Sequence, residues 1–157
     1  MALRPDVTIE GVDVLVREDT AIPVTAFDGY AIPKAEGSFD LAMMVDVLHH
    51  TDHPDRLMRE AARVASAGVL IKDHFRDGLA AEATLKFMYW VGNASHGVRL
   101  PYNYLSKSEW RQIWADLGLS PVGLETDLEL YPEPFNRIFG RQLHFVTVLD
   151  PSADRPR

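Results

Sequence analysis

The 157-residue chain is 46% hydrophobic and 25% charged, which suits one soluble domain able to bury roughly 70% of its unfolded surface. Twenty-three acidic residues against 16 basic ones give a formal charge of −7, and no block of Lys and Arg supplies the footprint a phosphate backbone requires, so nucleic acid is not an expected partner. The absence of cysteine excludes a disulfide scaffold, thiolate metal sites and cysteine nucleophiles, and fits a reducing, cytoplasmic setting.

The opening MALRPDVTIE is charged by its fourth residue and never develops the apolar run of a signal peptide or anchor, so no membrane partner is expected. Residues 7–12 are β-prone and end at Asp13, and residues 23–27 (PVTAF) form a second such run ending at Asp28-Gly29. A third, residues 39–45, follows the turn-forming Glu36-Gly37-Ser38 and leads into Asp46 and the His49-His50 pair. Pro54 suits the first turn of a helix capped by Asp52 or His53. Leu57, Met58, Ala61, Ala62 and Val64 supply its apolar stripe, while Arg59, Glu60 and Arg63 are expected to face water. Gly68 is expected to end this helix, and residues 69–71 form a fourth strand running into Lys72-Asp73-His74.

Residues 79–91 read as a second helix bearing Leu85, Met88, Tyr89 and an exposed Trp90, closed by Gly92-Asn93. Residues 106–117 begin with a capping box, Ser106 being followed three positions later by Glu109, and Trp110, Ile113, Trp114 and Leu117 have helical spacing before Gly118 stops them. Residues 122–130 and 142–149 are two strands joined by the loop YPEPFNRIFG. The run Phe145-Val146-Thr147-Val148-Leu149 implies that both faces of the last strand are covered. From Asp150 the chain reads DPSADRPR, whose prolines predict a loose tail after a single domain of residues 1–149.

Apolar runs alternating with segments of helical period predict an α/β protein with a largely parallel sheet. Ligands of such sheets bind beyond the carboxyl ends of the strands, and Asp13, Asp28, Asp46 and Asp73 all stand at such ends. Acids there also form ordinary turns, but their recurrence favours a site. A carboxylate after the second strand of a nucleotide-binding sheet can accept hydrogen bonds from both ribose hydroxyls, a role that Asp13 is placed for. Asp46, His49, His50 and His53 compose a rival motif, since i, i+3, i+4 spacing on a helix can aim imidazoles and a carboxylate at one ion. Adjacent histidines diverge by about 100° on a helix, and the general-base Glu of a zinc hydrolase is missing from between them, so no metal is expected.

The segment GSFDLAMMVDVLHHTDHPDRLMREAARV resembles the central part of class I methyltransferases of the small-molecule "type 11" group. Gly37-Ser38-Phe39-Asp40 matches the turn into that family's fourth strand, Leu48-His49-His50 the motif after it, and Pro54 with Glu60-Ala61-Ala62-Arg63-Val64 the helix before its fifth strand. GVDVLVR resembles the family's second strand and FDGYAIPKAEG the adenine-side loop after the third. The resemblance implies S-adenosyl-L-methionine as cofactor, with Asp13 on the ribose, Val14 against the adenine, Asp28 and Gly29 bordering the adenine amino group, and Val45, Asp46 and His50 near the methionine part. On the acceptor side, Asp73 and His74 follow the fifth strand, and Trp90, His96, Tyr102 and Tyr104 combine ring surfaces with polar tips. No residue is singled out as a catalytic base.

The family opens with a strand, an acid, a Gly-x-Gly-x-Gly loop and a helix, whereas six residues precede Val7 here. That loop lets backbone amides approach the cofactor, and its strand lies between the family's second and fourth. The expected fold is therefore a Rossmann-like methyltransferase domain, N-terminally incomplete, with a mostly parallel sheet, an antiparallel C-terminal strand and two unpaired strand edges. The implied function is methyl transfer to a small-molecule acceptor. The alternatives are a noncatalytic binding or partner subunit, with a homo-oligomer left open, and, from the histidine cluster, a metal-dependent hydrolase.

Overall fold

The computed structural model describes residue 4 and residues 6–93, 103–140 and 142–150. Two short parallel strands come first, β1 (Gly11–Asp13) and β2 (Val24–Ala26), with Val12 opposite Thr25. They are shorter than the β-prone runs around them because only three residues of each find a ladder partner. The main sheet holds β3 (Phe39–Val45), β4 (Ala65–His74), β5 (Ser120–Glu125) and β6 (His144–Asp150) in the order β3-β4-β6-β5. β3 runs parallel to β4, and β6 is antiparallel to both its neighbours, so three strands point one way and β6 the other. This is the mostly parallel, Rossmann-like arrangement with an antiparallel C-terminal strand that the sequence predicts. Among the described residues no ladder joins β1-β2 to the four-stranded sheet.

Helix α1 (Pro54–Val64) starts on Pro54 with His53 as N-cap, but the side chain of His53 makes no capping hydrogen bond. The helix ends four residues before the expected Gly68, because Ala65 is already extended and begins β4. Gly68 serves the sheet instead, since a Cβ there would stand 2.8 Å from the carbonyl oxygen of Leu149. Glu60 and Arg63, expected to face water, tie the loop after β2 to α1. Arg63 donates to the carbonyls of Ile32 and Lys34, both at 2.9 Å, and Glu60 accepts from the amide of Ile32 at 2.9 Å. The two side chains also pair with each other at 2.7 Å. Phe27 follows this loop's entry strand into the main core.

Helix α3 (Lys107–Asp116) carries the predicted capping box, with Ser106 Oγ accepting from the Glu109 amide and Glu109 Oε2 from the Ser106 amide. Gly118 then takes φ +65, the left-handed turn that glycine adopts at no steric cost. α1 and α3 cover one face of the sheet, where Leu57, Met58, Ala61, Trp110 and Trp114 pack on Val69, Ile71, Phe145 and Leu149. Trp110 meets the Phe145 ring edge-on at 5.4 Å and donates Nε1–H to the His74 carbonyl at 3.0 Å. The opposite face is open along the row Met43, Leu70 and Val148. Met43 is 64% and Val148 37% exposed, so the expectation that both faces of the last strand are covered does not hold.

Helix α2 (Ala81–Asn93) continues through Gly92-Asn93, which was expected to close it, and with Tyr104 and Leu143 forms a second, smaller core. The strand predicted over residues 122–130 stops at Glu125, whose carboxylate accepts from the amides of Thr126 and Asp127 and turns the chain away. A single π-type turn (Asn136–Gly140) lies in the following loop. Asp150, expected in the tail, still pairs with Ser120, and residues 151–157 lie outside the described residues. No helix among the described residues is long and apolar enough to cross a membrane.

The packing at Gly68 generates a paired test. Gly68→Ala should lower thermal stability by about 1–3 kcal/mol, the usual range for overpacking a close backbone approach. Gly123→Ala, where an added Cβ meets nothing within 4 Å, should leave the melting temperature nearly unchanged.

Candidate functional site

The site grows from the carboxyl ends of β3 and β4. β3 stops at Val45, and Asp46 takes φ 54, a left-handed conformation that Asp tolerates better than most residues. The Asp46 amide donates to the Lys72 carbonyl at 2.8 Å, and Lys72 Nζ donates to both Asp46 carboxylate oxygens at 2.6 Å. Lys72 is thus a half-buried partner of Asp46 and not the solvated strand end that its position suggests. Leu48–His50 then forms one 3-10 turn. On this tight turn the His49 and His50 rings lie 4.4 Å apart and tilted by 34°, so the two imidazoles share one surface where an α-helix would have separated them.

Asp73 holds that turn against β4. Its Oδ2 accepts from the Leu48 amide at 3.1 Å, and its Oδ1 accepts from His49 Nδ1 at 2.8 Å, the His74 amide at 2.8 Å and His74 Nδ1 at 3.2 Å. The carboxyl is 1% exposed, and burial by itself would keep it protonated. The hydrogen bonds from His49 and His74 outweigh that burial and hold it well below the usual carboxylate range. An ionised Asp73 has no hydrogen to give, so His49 carries its proton on Nδ1 and Nε2 is left as the basic nitrogen.

These groups form one end of a cavity of about 550 Å3, within the range that encloses small organic ligands. Asp46, His49, His50, Lys72, His74 and His144 line its polar side, because the antiparallel pairing of β4 and β6 sets His74 opposite His144. Phe87, Tyr89, Tyr104, Tyr131, Phe135 and Phe139 supply rings on the other side. Tyr104 stacks on His49 with centroids 5.4 Å apart, and the Tyr89 hydroxyl bonds to His50 Nδ1. Burial, followed by the adjacent His49, pushes His50 below its ordinary value.

Asp46, His49 and His74 bring ligand atoms within 4.8 Å of one another, a set different from the helical one read in the sequence. Both Asp46 oxygens already accept from the Lys72 ammonium, and Asp73 occupies one nitrogen on each of the two imidazoles. His53, the outlying member of the predicted motif, lies beside Tyr30 with the rings 6.2 Å apart.

The other expected site residues are placed unevenly. Asp46, His50, His74 and Tyr104 line the cavity; Asp73 does not, and acts through His49. Val45 and Trp90 are 48% and 57% exposed and lie outside the lining, which corrects the expectation that Trp90 shapes the acceptor pocket; its neighbours Tyr89, buried, and Val91, exposed, belong to the lining instead. His96 and Tyr102 lie outside the described residues. Asp13, Val14, Asp28 and Gly29 cluster at the carboxyl ends of β1 and β2. Asp13 Oδ1 accepts from the Leu15 amide, and Asp28 Oδ1 from those of Tyr30 and Ala31. The Ala31 and Tyr30 bonds hold the Asp28 carboxyl below its ordinary value, with the Arg56 charge adding to them. Gly29 takes φ +81, and a Cβ on it would stand 3.3 Å from Val14 Cγ1.

His49, Lys72 and His144 on the polar side, and rings such as Tyr89, Tyr131 and Phe139, are site residues that sequence reasoning left out of the ligand-binding set. The Asp46-to-Lys72 spacing carries no local signal, because strand register alone brings the two together. A three-residue signal did exist for His49, in the Leu-His-His motif itself, once the turn is taken as 3-10 and not α.

Residues 2–124 match the model of a family described as "Methyltransferase domain". No curated protein is significantly similar in sequence. Among solved structures, the chain is similar to an S-adenosylmethionine-dependent methyltransferase of Mesorhizobium loti, with 14% identity, TM-score 0.63, and 91% of this chain and 80% of that one covered. A chain of the complex between the Haloferax volcanii Trm112 methyltransferase activator and a methyltransferase gives 14% identity and TM-score 0.62, covering 88% of this chain and 65% of that one. Magnesium protoporphyrin IX methyltransferase from Synechocystis, solved with bound SAH, gives 14% identity and TM-score 0.52, covering 82% and 51%. The chain therefore spans about two thirds of the Haloferax relative and half of the Synechocystis one, and these likenesses show the fold.

The burial of His144 sets a pH dependence of stability. Burial, then the His74 and Lys72 charges, pushes its imidazole down to about 4, whereas in an unfolded chain it titrates near 6.5. Between those values the unfolded chain binds a proton that the fold does not, so stability is full above about pH 6.5 and falls toward pH 4, by roughly 3 kcal/mol from this group. His144→Phe should shrink the drop in melting temperature between about pH 7 and pH 5. An unchanged drop would show that other groups set the acid limb.

Proposed function

The chain belongs to the class I, S-adenosylmethionine-dependent methyltransferase family, and from that membership we propose that it transfers a methyl group to a small-molecule acceptor held in the cavity beneath α2. The observation that carries the reading is the buried His49–Asp73 pair at the carboxyl end of the sheet, through which His49 lines a cavity that also carries aromatic rings.

The residues present fit the cofactor on its adenosine side. Gly29 leaves a cradle against Val14 that any Cβ would fill, and Asp13 and Asp28 stand exposed at either side of it with their loops fixed by their own turns. Asp13 would receive the ribose hydroxyls, Val14 and Gly29 would border the adenine with Asp28, and Val45, Asp46 and His50 would lie toward the methionine part. When bound, S-adenosylmethionine supplies a methyl group on a sulfonium, open to in-line displacement.

The chain's own contribution is to hold, to exclude water and to take a proton. Lys72 neutralises Asp46 and fixes the left-handed turn below the cavity. Asp73 fixes the His49 tautomer and stabilises the imidazolium that forms when Nε2 accepts a proton from the acceptor. The aromatic wall orients the acceptor and dries the reacting end.

Calorimetric titration of the chain with S-adenosylhomocysteine tests the reading. Saturable binding is expected, weakened at least about tenfold by Asp13→Ala, the scale of a lost hydrogen bond to a charged group. His49→Gln should retain that binding while losing methyl transfer by a factor of about 100 or more, as for a removed general base. Silence from the unaltered chain would contradict the proposal and favour the noncatalytic, partner-subunit alternative.

A further inference from the structure

We propose that the cavity selects a phenol, with the hydroxyl seated at Nε2 of His49 and the ring laid against the aromatic side of the cavity. As an identification of the methyl acceptor this rests on the function proposed above, but the binding site stands on its own geometry.

The cavity is polarised. Its ionisable side chains gather where β3 and β4 end and β6 begins, while the residues toward α2 and the 131–139 loop are apolar or aromatic. A flat body with one polar atom at its edge matches that division. The far walls are themselves made of rings, with Phe139 parallel within 11° to Phe135 and within 16° to Phe87, each 6.4 Å away. Such walls favour a planar aromatic body over a puckered aliphatic one by offset and edge contacts.

The charges at the polar end narrow the acceptor further. Asp46 is paired with the Lys72 ammonium and Asp73 lies outside the lining, so no unpaired carboxylate in the cavity waits for an ammonium group. A carboxylate acceptor would arrive already ionised and leave the His49–Asp73 pair without work. A weakly acidic O–H needs a base, and the pair provides one. In the transfer, the phenol O–H bond breaks and its proton passes to Nε2 of His49. An oxygen lone pair forms the new C–O bond to the methyl carbon, and the pair of the broken C–S bond stays on sulfur. The products are an aryl methyl ether, S-adenosylhomocysteine and one proton, which His49 returns to solvent.

The test uses the full chain and 4-nitrophenol, whose phenolate absorbs in the visible and whose neutral form does not. Saturable binding of one equivalent should raise the phenolate band at a pH where the free probe is mostly protonated. His49→Gln, checked by its melting curve, should return the band to that of the free probe, and Phe139→Ala should weaken binding roughly three- to tenfold. Phenol should displace the probe and cyclohexanol should not, a comparison that needs no variant. Absence of saturable binding, equal displacement by cyclohexanol, or an unchanged band in folded His49→Gln would overturn the proposal. Because binding is read without cofactor, a positive result with no response to S-adenosylhomocysteine would overturn the methyltransferase reading and leave the phenol site standing.

Discussion

Four N–H groups converge on the carboxylate of Asp73, and the arrangement of the site follows from that convergence. A buried carboxylate left without partners would cost several kcal/mol, so the fold that buries Asp73 must also bring the Leu48 amide and both imidazoles to it. Those donors come from opposite sides: the 3-10 turn after β3 and the last residues of β4. The carboxylate therefore locks the loop beyond one strand to the end of the next, fixes which nitrogen of His49 carries the proton, and turns a flexible His-His dipeptide into a rigid wall. Lys72 does the same for Asp46 one residue row away, so that the end of the sheet holds two compensated acids and not one unsatisfied cluster.

The remainder of the fold presents this end to a ligand. α1 and α3 fill one face of the sheet with Leu57, Met58 and the two buried tryptophans, and Trp110 fastens the His74 carbonyl from beneath. That leaves α2 and the 131–139 loop to stand over the other side of the strand ends, where their rings line the cavity. The Glu60–Arg63 pair adds a separate tether, clamping the loop that carries Asp28 and Gly29 onto α1, although among the described residues β1-β2 shares no ladder with the main sheet.

Much of the fold is legible in the sequence where local rules decide. β3 falls on its predicted residues, Pro54 begins α1, and the Ser106–Glu109 box caps α3, because alternation, a fixed proline φ and reciprocal hydrogen bonds are all encoded within a few positions. The misreadings occur where tertiary demands override them. Gly68 looks like a helix stop, yet it is a glycine because the Leu149 carbonyl approaches too closely for a Cβ. Arg63 looks solvated, yet its guanidinium serves two carbonyls more than 25 residues away in sequence. The site divides likewise. Acids at strand ends are visible as a pattern, but the pairing of Asp46 with Lys72 and of His74 with His144 depends on register between strands 26 and 70 residues apart, which no local motif records.

The proposed chemistry requires His49 to present a bare Nε2 while Asp73 receives its Nδ1–H. Two-bond nitrogen–proton NMR correlations on the histidine rings read the tautomer of the neutral imidazole directly. The structure predicts a His49 ring with Nδ1 protonated, its proton shifted downfield by the carboxylate, and Nε2 at the position of an unprotonated nitrogen. A His49 ring found as the Nε2–H tautomer would contradict the assignment of the base and, with it, the reading of the cavity.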